Sequence, residues 1–236
     1  NRSIVIVPTA TATAISNLIE KLTQDVVRNY RCELRYSELD TNRFGGGARK
    51  AFFSSNIRMS YEEFIGEQLK FACVRDMDDI EKYRKSKEIE LVHYFPKDSS
   101  IPVTDRRSFD VKRIRIDGKE LGKCRRTDGG NGTDLFEISY SDYDAPDSIA
   151  KLEYEVETIS GRKELRDPVD VLSVTEGLFM SLDYGQTDIL NVFVLNQTGA
   201  NLEIDHKKSK RILEVKTDDI LFPRTGLIIC WNLGLR

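Results

Sequence analysis

Few residues in this chain are spaced to do chemistry, and the most concentrated are basic. The stretch Arg43-Phe44-Gly45-Gly46-Gly47-Ala48-Arg49-Lys50 sets three glycines among Arg43, Arg49 and Lys50. Glycine lets backbone amides approach a phosphate closely, and flanking cations add charge to the cradle. The stretch is not a Walker-type phosphate loop. The order of Gly, four residues, then Gly-Lys-Ser/Thr is absent, and Phe52, Phe53 and Ser54-Ser55-Asn56 stand where a helix should begin. A mobile connection in which glycine relieves strain is the simpler account.

The charge pattern further along reverses sign. From Arg106 to Arg126 there are nine bases against three acids, and from Asp134 to Glu157 eight acids against Lys151 alone. Two consequences follow. Opposite charges on adjacent strands of a solvated sheet face attract, each pair contributing about 0.2–1 kcal/mol. Arginine also grips phosphate through its two-pronged guanidinium, so Arg113, Arg115, Arg125 and Arg126, with Arg43, Arg49 and Lys50, are the candidate ligand-binding residues. The formal net charge of -3 argues against an extended nucleic-acid footprint, so an anionic partner should be small. The run His206-Lys207-Lys208-Ser209-Lys210-Arg211 reads as a solvated hairpin end.

Hydrolytic chemistry has little to draw on. The two histidines are His93, in a strand pattern, and His206, in a charged turn, and neither has a triad motif around it. His93 reads as a buried, hydrogen-bonded side chain. Asp142, Asp144 and Asp147 faintly echo a calcium loop but lack its sixth-position glycine and closing glutamate. Cys32, Cys73, Cys124 and Cys230 show no zinc spacing and are expected to be reduced. The three Asn-X-Ser/Thr triplets are read as accidental. No catalytic residue, metal or cofactor is therefore assigned.

These residues must be held by regular elements. Ser3–Val7 reads as a short strand stopped by Pro8. Apolar residues at Ile15, Leu18, Ile19, Leu22, Val26 and Val27 recur at the spacing of one helix face. Arg31 to Leu39 alternates as a strand. A second helix is expected after Ser60, with Glu63 completing a capping box and Ile65, Leu69, Ala72, Cys73, Met77, Ile80 and Tyr83 on one face. From Glu88 onward the pattern is β. Strands are expected near 88–95, 108–116, 135–140, 151–158, 169–174, 178–182, 190–195, 202–204, 212–215 and 227–231, with Asp117-Gly118 and Ser160-Gly161 as tight turns.

The chain has 236 residues, 39% hydrophobic and 32% charged, enough to bury a core. No apolar run is long enough to span a bilayer, and no secretory signal opens it. It begins at Asn1 without an initiator methionine, so it is expected to be the soluble part of a larger, cytoplasmic protein. The expected fold is α+β: a helix-containing N-terminal region, residues 1–98, packed with a mainly antiparallel β-sandwich or partly closed barrel over 99–236, in one domain or two. The expected function is a non-catalytic recognition or sensory module for a phosphorylated or nucleotide-like ligand, or for a protein partner. A metal-dependent enzyme acting on a phosphate ester or nucleic acid through Asp142 and Asp144, and a structural or assembly protein, are the alternatives.

Overall fold

The computed structural model describes residues 26–44, 48, 51–66, 68–84, 86, 89–95, 108–130, 132–139 and 149–234. In chain order the strands are β1 (Val26–Glu38), β2 (Phe52–Phe64), β3 (Gln68–Val74), β4 (Ile89–Tyr94), β5 (Phe109–Ile116), β6 (Lys119–Glu120), β7 (Arg125–Gly130) and β8 (Thr133–Ser139). They continue as β9 (Ile149–Gly161), β10 (Arg166–Val171), β11 (Val174–Gln186), β12 (Ile189–Asn196), β13 (Glu203–Lys207), β14 (Ile212–Leu221) and β15 (Thr225–Leu233). Among the described residues one helix longer than a single turn, α1 (Met77–Arg84), interrupts them.

The strands form three open sheets. Eight strands lie in the order β13-β14-β11-β1-β2-β9-β5-β6, three in the order β10-β15-β12 and four in the order β4-β3-β8-β7. Neighbours run antiparallel except β1 with β11 and β3 with β4, which are parallel. Strands from both ends of the chain therefore interleave in the large sheet. Next to its centre, the pairing of β2 with β9 runs unbroken from Phe52 opposite Gly161 to Phe64 opposite Ile149.

Alternation explains why these segments are strands. Along β9, Ala150, Leu152, Tyr154, Val156 and Thr158 are buried while Lys151, Glu153, Glu155 and Glu157 point the other way. One face of the large sheet is thus apolar. It packs on both smaller sheets through a single core that includes Leu34, Tyr36, Met180 and Leu182 on one side and Phe71, Phe136, Ile229 and Trp231 on the other. Burying such side chains contributes roughly 1.5–3 kcal/mol each.

The α+β expectation is overturned. The predicted helix from Ser60 is instead the end of β2, then β3, with helix only from Met77. Ser60 and Glu63 sit inside β2, opposite Glu153 and Ala150, so they cap nothing. The reason is that Met59, Tyr61, Leu69, Phe71 and Cys73 also satisfy a period of two, and long-range pairing with β9 and β8 outweighs a local helical preference. The other predicted helix, Ile15 to Val27, lies outside the described residues except for Val26 and Val27, which open β1. The barrel also fails, because the sheets stay open.

Among the expected turns, Asp117-Gly118 joins β5 to β6 with both residues at positive φ, 48° and 80°. Ser160-Gly161 belongs to β9, and the chain turns just after it at Arg162–Glu164, where Leu165 takes a left-handed conformation. Gly226 answers a different demand: an added Cβ would stand 2.4 Å from the Val169 carbonyl oxygen, so β10 can approach β15 this closely only at glycine.

Candidate functional site

The main cavity is about 1760 Å³ and lies over the inner face of β1 and β2, against β4 and α1 on one side and β10 on another. A usual small-molecule site is roughly 300–1,000 Å³, so this cavity exceeds that range. Its wall is aromatic. The rings of Tyr30 and Tyr61 stack at 5.6 Å and an interplanar angle of 14°, and Tyr154 meets Tyr61 edge-on at 6.1 Å. Burial raises all three phenols above their ordinary range, so they remain protonated donors.

Two carboxyls meet beneath these rings. Tyr61 Oη donates to Glu90 Oε2 at 2.5 Å, and Glu63 shares a hydrogen bond with the same carboxyl. Glu63 arrives from β2, on the inward side shared with Met59 and Tyr61, and Glu90 arrives from β4 in another sheet. Burial pushes Glu90 up to about 7, against the opposite pull of its bonds to Tyr61 and Glu63. Glu63 is raised well above the usual carboxylate range as well, by burial, then the charge of Glu90, then the bond it shares with Glu90. The pair accordingly shares a proton near neutral pH.

Neighbouring groups do not convert this pair into a reactive centre. His93 lines the same cavity with Nε2 2.7 Å from Thr158 Oγ1, and burial lowers it to about 4, leaving it neutral. The Cys32 thiol is pushed up to about 12, chiefly by burial and then by Asp167, so no thiolate forms. Carboxyls in hydrogen-bond contact also leave no space for a glycosidic bond, which needs separations of about 5–5.5 or 6.5–9.5 Å. Among the described residues no three His, Cys, Asp or Glu side chains gather as they would round a metal ion.

The arginines singled out from the sequence fall elsewhere. Arg113 and Arg115 lie on β5, facing Glu155 and Glu153 across β9. Arg125 and Arg126 lie on β7 in a different sheet, where Arg125 reaches Glu137 at 3.5 Å and Arg126 reaches Asp134 at 2.5 Å. Arg115 also meets Glu120 at 3.6 Å. The basic stretch is therefore divided between two sheets, and each part lies beside a strand of the acidic stretch. Arg49, Lys50 and the Arg43 side chain lie outside the described residues, as do Asp142, Asp144 and Asp147. His206 is exposed on β13, beside the hairpin end that the basic run forms with β14.

Glu63 and Glu90 escaped the sequence reading because Glu63 fitted a helix cap and Glu90 looked like an ordinary strand acid. Their signal was parity: once β2 is read as a strand, Glu63 is a carboxyl on the side that carries Phe53, Ile57, Met59 and Tyr61.

Among the described residues the fold is almost entirely strand, and the cavity is lined from all three sheets. No protein-family model and no curated protein matches the chain. A crystal structure from Legionella pneumophila subsp. pneumophila str. Philadelphia 1, provisionally described as a nutrient binding protein, is similar at 10% identity and a TM-score of 0.37, covering 89% of this chain and 68% of its own. Among the described residues no helix is long and apolar enough to cross a membrane.

Proposed function

We propose that this protein is a non-catalytic recognition module that takes a small molecule into the cavity between its sheets. The observation that carries this is the meeting of Glu63, Glu90 and the Tyr30–Tyr61 stack on one wall of a 1760 Å³ space. Tyrosine gives a flat apolar surface, and the carboxyl pair gives a donor and an acceptor at its edge, the combination that orients a ligand in an otherwise apolar pocket. The fitting ligand has a flat or apolar body and a hydroxyl or amino group that meets the pair.

The phosphorylated or nucleotide-like form of this reading has weaker support. Arg113, Arg115, Arg125 and Arg126 each face a carboxylate and none lines the cavity. Cations do line it, since Arg166 and Arg224 are exposed there, while Arg84 is paired to Asp170. A phosphate would have to be held by these two.

Thermal melting against a panel of hydroxylated and amino-bearing aromatics, with nucleotides alongside, tests the proposal. A ligand should raise the midpoint, and the rise should vanish in Tyr30→Ala and shrink in Glu90→Gln. A rise that survives both changes, or turnover of the stabilising ligand, overturns it.

A further inference from the structure

Among the described residues the three sheets present six edges, and five are guarded. β13 carries Glu203, Asp205 and Lys207, and β6 has only two residues, Lys119 and Glu120. β10 carries Pro168 together with Arg166, Asp167 and Asp170, while β7 carries Arg125, Arg126 and Asp128 and ends in two glycines. β4 has six residues and contains Glu90 and His93. Charge, proline and shortness are the usual means by which a protein keeps a free edge from pairing with another chain.

β12 has none of them. Its eight residues, Ile189-Leu190-Asn191-Val192-Phe193-Val194-Leu195-Asn196, contain no charge, proline or glycine, and it pairs only with β15 among the described strands. Leu190, Phe193 and Leu195 are 60%, 49% and 54% exposed. β-branched and aromatic residues of this kind pair strongly when a strand is offered to them.

We infer that β12 is a pairing edge and that its occupant is β12 of a second copy of this chain, laid antiparallel about a two-fold axis perpendicular to the sheet near Phe193. Three observations select a second copy. The strand has no charge, so self-pairing meets no like-charge repulsion in any register, and no charge is present that would select a foreign strand. A perpendicular axis keeps the same face outward on both copies, so exposed Phe193 covers Phe193 of the second copy, with each Leu195 opposite the other copy's Asn191 and diagonal to its Phe193. β10, at the far edge of the same sheet, is closed by Pro168, so pairing stops at two copies and yields one six-stranded sheet. The inference is independent of the cavity.

Sedimentation of the full chain over a range of concentrations tests it. The wild type should show a monomer–dimer equilibrium. Phe193→Lys and Leu195→Lys, both at exposed positions, should each weaken the dimer by more than about tenfold while leaving the melting profile of the monomer intact. Glu203→Lys, on the guarded β13 edge, should leave the dimer unchanged. A wild type that stays monomeric at its highest attainable concentration, a dimer that persists in both lysine variants, or open-ended polymers overturns the inference.

Discussion

The outer face of the large sheet and its interior both carry charged side chains, arranged on opposite principles. Outside, charges are many and their signs alternate across the strands. One register row reads Glu33, Arg58, Glu155 and Arg113 over β1, β2, β9 and β5. Lys112 bridges Asp110 at 2.7 Å and Glu157 at 2.9 Å, and Lys216 meets Glu203 at 2.6 Å. Inside, charges are few, and Arg162 and the Glu63–Glu90 pair are held by several partners at once. Water screens the first set and is largely excluded from the second, so the smaller set should dominate both stability and its dependence on pH.

The most demanding test is Arg162. Its side chain is 5% exposed and sits in the turn after β9, where Nη1 donates to Asp188, Nη2 to Glu38 and Nε to the Phe52 carbonyl, with the guanidinium 4.0 Å from the centre of the Phe53 ring. One side chain thereby ties the end of β1, the start of β2 and the approach to β12. Arg162→Ala removes the buried cation that Glu38 and Asp188 share and should cost about 3–5 kcal/mol. At roughly 2–4 °C per kcal/mol for a chain of this size, the thermal midpoint should fall by something on the order of 10 °C. A fall of only a degree or two would erase the distinction between the two sets of charges.

A smaller effect is expected at the carboxyl pair, and its sign is fixed. Glu90 rises from an ordinary 4.5 to about 7 in the folded protein, so its contribution is fully present below about 4.5 and is lost as pH rises through about 7. His93 runs the other way: lowered from 6.5 to about 4, it favours the fold above about 6.5 and loses that contribution as pH falls through about 4. The two oppose one another between those limits, which leaves the range above about 6.5 to the Glu63–Glu90 pair. Melting curves should show stability declining with pH there. Glu90→Gln, which keeps the shape and removes the charge, should flatten that decline and raise the midpoint on the alkaline side. A wild-type curve that rises with pH across the same range would sink the assignment.

The outer face was more legible in the sequence than the interior, for a physical reason. The alternation of β9 and the opposite charges of residues 106–126 and 134–157 are local patterns, and the structure lays the corresponding strands side by side, β5 on β9 and β7 on β8. The interior depends on contacts made at a distance. Glu63 and Glu90 reach each other from different sheets, and Arg162 finds Glu38 at a separation of 124 residues. The parallel pairing of β1 with β11 is of the same kind, since nothing in Val26–Glu38 indicates which later strand it will join. The misread helix at 60–83 shows the limit within a short span: its apolar residues fit periods of both two and 3.6, and only the partners β8 and β9 decide between them.

The smallest effect should belong to the outer face itself. Glu155 accepts a hydrogen bond from Asn56 at 2.7 Å and meets Arg58 at 3.4 Å; partial burial pushes its carboxyl up, and these two partners more than reverse that, leaving it below the usual range. Even so, the Arg58 side chain is 60% exposed, and a solvated guanidinium gives up little on losing one contact. A double-mutant cycle of Arg58→Ala and Glu155→Ala should return a coupling of about 0.2–1 kcal/mol that shrinks further in high salt. Because Glu155 also faces Arg113, removing Arg58 leaves the acid one cation, so Glu155→Ala should cost more than Arg58→Ala. A coupling comparable to the loss in Arg162→Ala would mean that the alternating rows act as a connected network, and that counting charges on this face, rather than weighing their burial, is the better guide to what holds the sheet together.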